Sequence, residues 1–242
     1  MGLRVEWLGR IGYRDAWARQ HELVEARATG RMGDTLLLLE HDPVLTLGRN
    51  ADPSFVRASD EALRARGIEL IRVERGGEVT YHGPGQLVAY PIVRLADRGI
   101  LLRPFVRALE QAIADTAASY GVEAGRRDGF PGCWCEPDGG QPRKLGALGL
   151  RVERGVSYHG IALNVTTDLT DFKLIDACGL SEAEVTSIAS EAGWPAGQSA
   201  PSTASVANAA DRFEHAFVLR LEEATTSGPT TDRADAALIG AI

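Results

Sequence analysis

Apolar runs separated by glycine and proline divide the chain into short strands alternating with helices. Residues 4–8 read as a strand and 13–29 as a helix. There Trp17, Leu23 and Val24, with Ala16 and Ala28, form an apolar stripe that Gly30 stops. Four consecutive leucines within 35–40 give the unbroken run of a strand covered on both faces. A second run at 44–47 follows His41-Asp42-Pro43, where His41 is expected to be a structural turn residue. A short helix at 60–66, ended by Gly67, precedes strands at 68–73 and 87–95. The clearest helical period lies at 102–120, with Phe105, Val106, Leu109 and Ile113 on one face and Gly121 as the stop. Strand-like pieces at 122–125 and 132–135 lead into a turn-rich loop, 136–142. Residues 144–152 and 156–165, joined at Glu153-Arg154-Gly155, form a hairpin. A helical turn at 168–173, a partly helical 181–192, a linker at 193–202 and a last helix at 206–223 complete the pattern. The pattern predicts an α/β fold of mixed α+β type: a largely antiparallel sheet packed by helices. It forms a single domain over 1–224, and 225–242 is a frayed tail.

Composition narrows the class. Of 242 residues 44% are hydrophobic, enough for a sizeable core. No apolar run has membrane-spanning length, and the N-terminus lacks a signal-peptide apolar region, so a soluble cytoplasmic protein is expected. Three cysteines, an odd number, make no disulfide framework. The net charge of −7 is uneven: residues 166–242 hold twelve acids against four bases. The acidic end serves solubility, and no basic block points to nucleic acid. Of 26 basic residues, 24 are arginine, and only Lys144 and Lys173 are lysine. Such a bias nominates the two lysines as places needing a compact, titratable ammonium.

The richest stretch is Arg75-Gly76-Gly77-Glu78-Val79-Thr80-Tyr81-His82-Gly83-Pro84-Gly85-Gln86, followed by Leu87-Val88-Ala89-Tyr90. It reads as a glycine loop between the strands at 68–73 and 87–93. Glycine permits close backbone approach to a ligand, and the polar side chains are more varied than a plain hairpin turn needs. His82 is therefore a candidate for polar contact with a ligand. For His159, in Tyr158-His159-Gly160, site and structure weigh evenly.

Cys178, in Asp176-Ala177-Cys178-Gly179-Leu180, is either a buried small hydrophobe or a nucleophile; the residues leave both open. A nucleophile would need a cation, a helix N-terminus or a histidine to hold its thiolate. Lys173 reads as a surface residue, whereas Lys144 opens the central hairpin with Gly146 and Gly149 close behind. Cys133-Trp134-Cys135 reads as strand residues alternating around the tryptophan. With three cysteines and no histidine at ligand spacing, zinc is not expected.

Arg-Gly-Gly-x-x-Thr-Tyr-His-Gly-Pro-Gly-Gln-Leu-x-x-Tyr-Pro from Arg75, Arg143-Lys144-Leu145-Gly146-Ala147-Leu148-Gly149 and the Cys178 pentapeptide together resemble the lipoyl(octanoyl) transferases of lipoate biosynthesis. The resemblance runs from about Trp7 to about Ser190. It implies the α/β fold shared by biotin and lipoate protein ligases, and a Cys178/Lys144 dyad. It further implies an acyl site made by Arg75, Gly76, Gly77, Glu78, Val79, Thr80, Tyr81 and His82, joined by Ala147, Leu148 and Gly149 and by Gly160, Ile161 and Ala162. The implied donor is octanoyl-acyl carrier protein, with the acyl group on its phosphopantetheine. The implied acceptors are lipoyl domains of 2-oxoacid dehydrogenase subunits and the glycine cleavage H protein. A monomer needing no cofactor, ATP or metal is expected. Cys133-Trp134-Cys135 departs from the aliphatic strand more usual there. Three alternatives compete: an ATP-dependent lipoate or biotin ligase, a non-catalytic lipoyl-domain binding protein, and a Cys–His thiol hydrolase. Against the first, Gly83-Pro84-Gly85-Gln86 lacks the Gly-Lys-Ser/Thr ending of a P-loop.

Overall fold

The computed structural model describes residues 2–136, 140–176, 184–194 and 205–226. The candidate nucleophile Cys178, most of the 193–202 linker and the tail from residue 227 lie outside the described residues. In chain order the elements are β1 (Leu3–Ile11), α1 (Tyr13–Ala28), β2 (Asp34–His41), β3 (Val44–Leu47), α2 (Asp60–Ala65), β4 (Glu69–Arg72), β5 (Val79–His82) and β6 (Gln86–Ile92). They continue with α3 (Leu102–Ala118), β7 (Gly125–Arg127), β8 (Phe130–Cys135), β9 (Arg143–Glu153), β10 (Val156–Asn164), β11 (Glu184–Val185), α4 (Ile188–Glu191) and α5 (Val206–Thr226).

The large sheet runs β1-β2-β6-β10-β9-β8-β7, with β11 paired to β9. Among the described residues of this sheet, β1–β2 and β9–β11 are parallel and the other pairings antiparallel. The four-leucine run explains how this sheet is covered. Side chains alternate across a strand, so Leu36 and Leu38 face one way and Leu37 and Leu39 the other. The first pair joins Phe105, Leu109 and Ile113 of α3 and Phe213 and Phe217 of α5 in the main core. The second pair joins Leu23 and Val24 of α1, with Tyr90 and Tyr158, on the opposite face. The hairpin β9–β10 turns at Arg154 (φ 52°) and Gly155 (φ 79°), the two left-handed residues of a tight turn matched to strand twist.

Three expectations change. The glycine stretch is not one loop between neighbouring strands. Its middle, Val79–His82, is β5, which pairs with β3 in a separate three-stranded sheet, β4-β3-β5. Glycine turns flank it, and Gln86 N–H donates to the Gly83 carbonyl across Pro84-Gly85 (3.2 Å; Gly85 φ 82°), leading the chain back into the large sheet. His41 is not in a turn. It ends β2 fully buried, with Nδ1–H donating to the Ile11 carbonyl (3.1 Å) and Nε2 accepting from the Tyr90 hydroxyl (2.8 Å). The strand expected to reach residue 95 stops at Ile92, because residues 95–98 wind into a 3-10 turn.

The edge beneath α1 holds a buried ionic cluster. Asp34 accepts from Arg27 Nε (2.7 Å) and Arg98 Nε (2.5 Å), and Arg27 also reaches Asp97 (2.7 Å).

Candidate active site

The small sheet stands over the β9–β10 hairpin, and between them lies a cavity of about 300 Å³. Its walls include Arg75, Gly77, Glu78, Val79, Thr80 and His82 from one side and Lys144, Ala147, Leu148, Gly149, His159, Gly160, Ile161 and Ala162 from the other. Gly76 and Tyr81 are not in the wall. The Tyr81 ring turns away into a third core and meets Phe172 edge-on at 5.4 Å, as strand alternation between Thr80 and His82 requires. Gly76 anchors the segment through its backbone, donating N–H to the Leu150 carbonyl (3.0 Å) and accepting from Arg75 Nη1 (2.8 Å). Sequence reasoning missed Tyr13, Tyr90 and Trp134, and Gly129, Phe130 and Pro131 at the entry to β8, which complete the wall. Tyr90 belongs to the motif string itself; the others come from elements distant in sequence.

Two irregularities aim the side chains. Between β8 and β9, Cys133 pairs with Gly146 and Trp134 with Lys144, so β9 carries an extra residue. Leu145 lies in the helix-side core, and a Cβ at Gly146 would meet Ile113 of α3 at 3.1 Å. Both therefore face the helices, and the bulge leaves Lys144 and Ala147 facing the cavity together. Lys144 Nζ sits 5.1 Å from the centre of the Trp134 ring, a cation–π contact.

The second irregularity is in β10. His159 has φ 53°, so the neighbouring rings of Tyr158 and His159 fall on one side and stack at 4.8 Å. Regular pairing with β6 covers Ile161 to Asn164 and breaks beyond it. Opposite the break stands Pro91, which has no N–H to donate. The His159 N–H turns instead to Gln20 Oε1 of α1 (2.7 Å). Ser157 Oγ patches the ladder, donating to the Pro91 carbonyl (2.6 Å) and accepting from Val93 N–H (3.1 Å).

Three histidines in or beside the cavity are held neutral. Burial lowers His41 to about 4. Burial, then His41 and Arg75, lowers His82 to about 3, against a hydrogen bond to Gln86 that raises it. His159 is pushed well down by burial, then by Arg75, His21 and His82. A chain of backbone-fixed roles sets the His82 tautomer. Asn164 Nδ2 donates to the Thr186 carbonyl (2.9 Å), Gln86 Nε2 donates to Asn164 Oδ1 (2.9 Å), and Gln86 Oε1 accepts from His82 Nδ1–H (2.7 Å). His82 Nε2 is left as the acceptor. Arg75, nearly buried, spends its guanidinium on Thr46 Oγ1 (2.9 Å), the Thr46 carbonyl (2.5 Å) and the Gly76 carbonyl.

The described residues on either side of the Cys178 segment bear on Lys144 and its surroundings. Downstream, Val185 pairs with Lys144, and Thr186 N–H donates to the Lys144 carbonyl (3.0 Å). Upstream, Asp176 is tied to Arg57 by an ion pair and to the Phe55 carbonyl through its N–H (2.7 Å). Phe172 and Val185 meet Lys144 around a small recess next to the main cavity. Cys133 and Cys135 are buried, free thiols whose pKa burial pushes up to about 12 and about 11, values of unreactive sulfur. Among the described residues no group of three or more His, Cys, Asp or Glu could hold a metal ion, and no helix is long and apolar enough to cross a membrane.

Residues 12–218 match the family described as the lipoyl protein ligase A/B catalytic domain. An octanoyltransferase of Acidobacterium capsulatum is 52% identical over 196 residues, covering 78% of this chain and 80% of the relative. The bi-partite lipoate protein ligase of Thermoplasma acidophilum, solved in a study of that ligase and its E2 lipoyl domain, aligns with a TM-score of 0.60. It is 15% identical, over 100% of this chain and 91% of that one. The biotin protein ligase of Aquifex aeolicus aligns at 0.53 with 12% identity, over 93% and 73%. Identities this low speak for the fold alone, which is that of the biotin and lipoate protein ligases. The chain belongs to the lipoyl protein ligase A/B catalytic-domain family. Within it the chain groups with the octanoyltransferases, and it is an acyltransferase.

Proposed function

We propose that the chain moves an octanoyl group from the phosphopantetheine thioester of acyl carrier protein to a lysine of a lipoyl domain, by way of a thioester on Cys178. The acceptors are the lipoyl domains of 2-oxoacid dehydrogenase subunits and the glycine cleavage H protein. The observation that carries the reading is the convergence on Lys144: the strand after the Cys178 segment pairs with it, and Phe172, just before that segment, bounds the same recess.

In this reading Lys144 ammonium favours the Cys178 thiolate, and one close charge in a poorly hydrated site shifts a thiol by about 2.7 kcal/mol for two pKa units. The thiolate attacks the thioester carbonyl, and the carrier thiolate leaves and takes a proton from solvent. Lys144, no longer facing an anion once the sulfur is a thioester, gives its own proton to solvent and becomes the free amine. The acceptor amine then attacks the new thioester, Lys144 as free amine takes its proton, and the Cys178 thiolate is expelled. The first exchange is nearly isoenergetic and the second runs downhill to an amide, so neither step draws on ATP. Ala147, Gly149, Gly160 and Ala162 present methyl groups and backbone, the lining a straight hydrocarbon chain needs.

Intact-mass spectrometry after incubation with octanoyl carrier protein tests the proposal. A gain of one octanoyl group, absent in Cys178→Ala, is expected. The same increment in that variant, or modification of the acceptor only when free octanoate and ATP are supplied, refutes it.

A further inference from the structure

His82 lines the cavity, and the chemistry of its ring is fixed by two backbone carbonyls, which can only accept. Asn164 Nδ2 donates to the Thr186 carbonyl (2.9 Å), so Asn164 Oδ1 is an acceptor. Gln86 Nε2 gives one hydrogen to that oxygen (2.9 Å) and the other to the Tyr81 carbonyl (3.2 Å). Gln86 Oε1 therefore accepts, and the hydrogen between it and the imidazole sits on His82 Nδ1 (2.7 Å). Nε2 is left as a lone pair without a partner among the described residues. Both ring nitrogens of His159 are sealed with no partner. His82 Nε2 is not sealed, and it belongs to the 6% of that residue's surface that stays open.

Strand register puts this atom near Lys144. Gln86 pairs with Asn164 across β6–β10, and Leu163 pairs with Gly146 across β10–β9, so Gln86 and Asn164 lie level with the first residues of β9. Gln86, Asn164 and Lys144 line one recess, and the His82 ring is a single hydrogen bond away from Gln86. A bare nitrogen needs a donor. Neither a hydrocarbon chain nor a thioester group has one, whereas an attacking amine has two.

We propose that His82 Nε2 accepts a hydrogen bond from the ε-amine of the acceptor lysine and so turns the amine's lone pair toward the acyl carbon. The amine nitrogen forms the C–N bond, and the C–S bond breaks with Cys178 leaving as thiolate. One amine hydrogen passes to Lys144 as a proton. The other stays on the nitrogen, donated to His82 before the attack and from the product amide after it. His82 itself takes no proton, because burial keeps the ring neutral. The inference rests on the acyl-enzyme reading of the site, and its test separates the two.

Single-turnover mass spectrometry decides it, with octanoyl carrier protein loading the enzyme and a lipoyl domain then discharging it. His82→Asn keeps a group for Gln86 but ends short of the Nε2 position. It is expected to slow discharge at saturating lipoyl domain about tenfold more than it slows loading, with the half-saturating concentration little changed. His82→Gln, whose amide reaches that position, should recover most of the discharge rate. Loading and discharge slowed alike overturns the inference, as does failure of glutamine to recover discharge. Loading slowed alone also overturns it, the result expected if His82 meets an amide of the phosphopantetheine arm instead. Should the asparagine variant not fold, Gln86→Leu leaves the ring in place and frees its tautomer: discharge should again fall more than loading, and equal losses overturn the role. Wild type that never carries an octanoyl group overturns the acyl-enzyme reading and this role with it. A loaded wild type whose discharge is indifferent to His82 overturns the role of His82 alone.

Discussion

Gly132 and Lys144 occupy adjoining space: a Cβ built on Gly132 would lie 3.0 Å from Lys144 Cε and 2.4 Å from the Gly146 carbonyl oxygen. Gly132 also has φ 113°, and its N–H donates to Glu110 Oε1 of α3 (2.9 Å). Helix, bulge and lysine stem are thus fitted around one missing methyl group. Gly132→Ala is expected to cost about 2–4 kcal/mol by denaturant unfolding, since neither backbone nor dihedral can accept the Cβ. Displacing the lysine stem is expected to cut the acyltransfer rate at least roughly tenfold, measured on the fraction that folds.

Replacing Lys144 separates charge from proton transfer. Lys144→Ala is expected to lower the rate by about 10²–10⁴ while the melting temperature stays near that of wild type. Lys144→Arg keeps the positive charge but cannot give up a proton at working pH. It is expected to permit acylation of the enzyme and to stall transfer to the acceptor amine, seen as a persistent acyl-enzyme mass.

Acid should unfold the protein in a defined window. The folded values of His41 (about 4) and His82 (about 3) lie below the ordinary 6.5. Between those limits the unfolded chain binds more protons, so stability falls as pH falls. Each histidine contributes on the order of 1.4 kcal/mol per pH unit. Melting temperature should drop steadily from pH 6.5 to pH 4, and His41→Gln should flatten the slope. A melting temperature constant across that window contradicts the assignment of these rings as buried and neutral.

Asp34 carries the charge balance of its corner. Asp34→Ala takes one carboxylate from Arg27, which keeps Asp97, and from Arg98, and frees the Arg94 N–H (3.1 Å). A loss of about 3–5 kcal/mol is expected in chemical denaturation. A milder change should follow Asp34→Asn, which keeps the shape and part of the hydrogen bonding.

How much of this was legible beforehand depended on range along the chain. Local periodicity gave the leucine strand, the α3 stripe and the β9–β10 hairpin, because each is set by neighbours within a few residues. It did not reveal that Val79–His82 leaves the large sheet, since Leu45 and Thr46, its partners, precede it by more than thirty positions. The motif string contained Tyr90 and most of one wall, yet Trp134 and Tyr13 reach the cavity only through tertiary packing. Both irregularities that aim Lys144 and His159 depend on what faces the strand from across a sheet, which hydropathy does not encode. Cys178 was nominated by resemblance, and its position lies outside the described residues.

Pro91 sets where the ladder between β6 and β10 can open. A hole inside a continuous sheet normally strands peptide hydrogens that have nowhere to go. Here the opposing residue brings no such hydrogen, the one released by His159 is taken up by Gln20, and the serine hydroxyl closes the seam. The ladder therefore opens where the released peptide hydrogen has a partner, beside His159, which lines the cavity. Pro91→Ala would add one amide N–H to that joint.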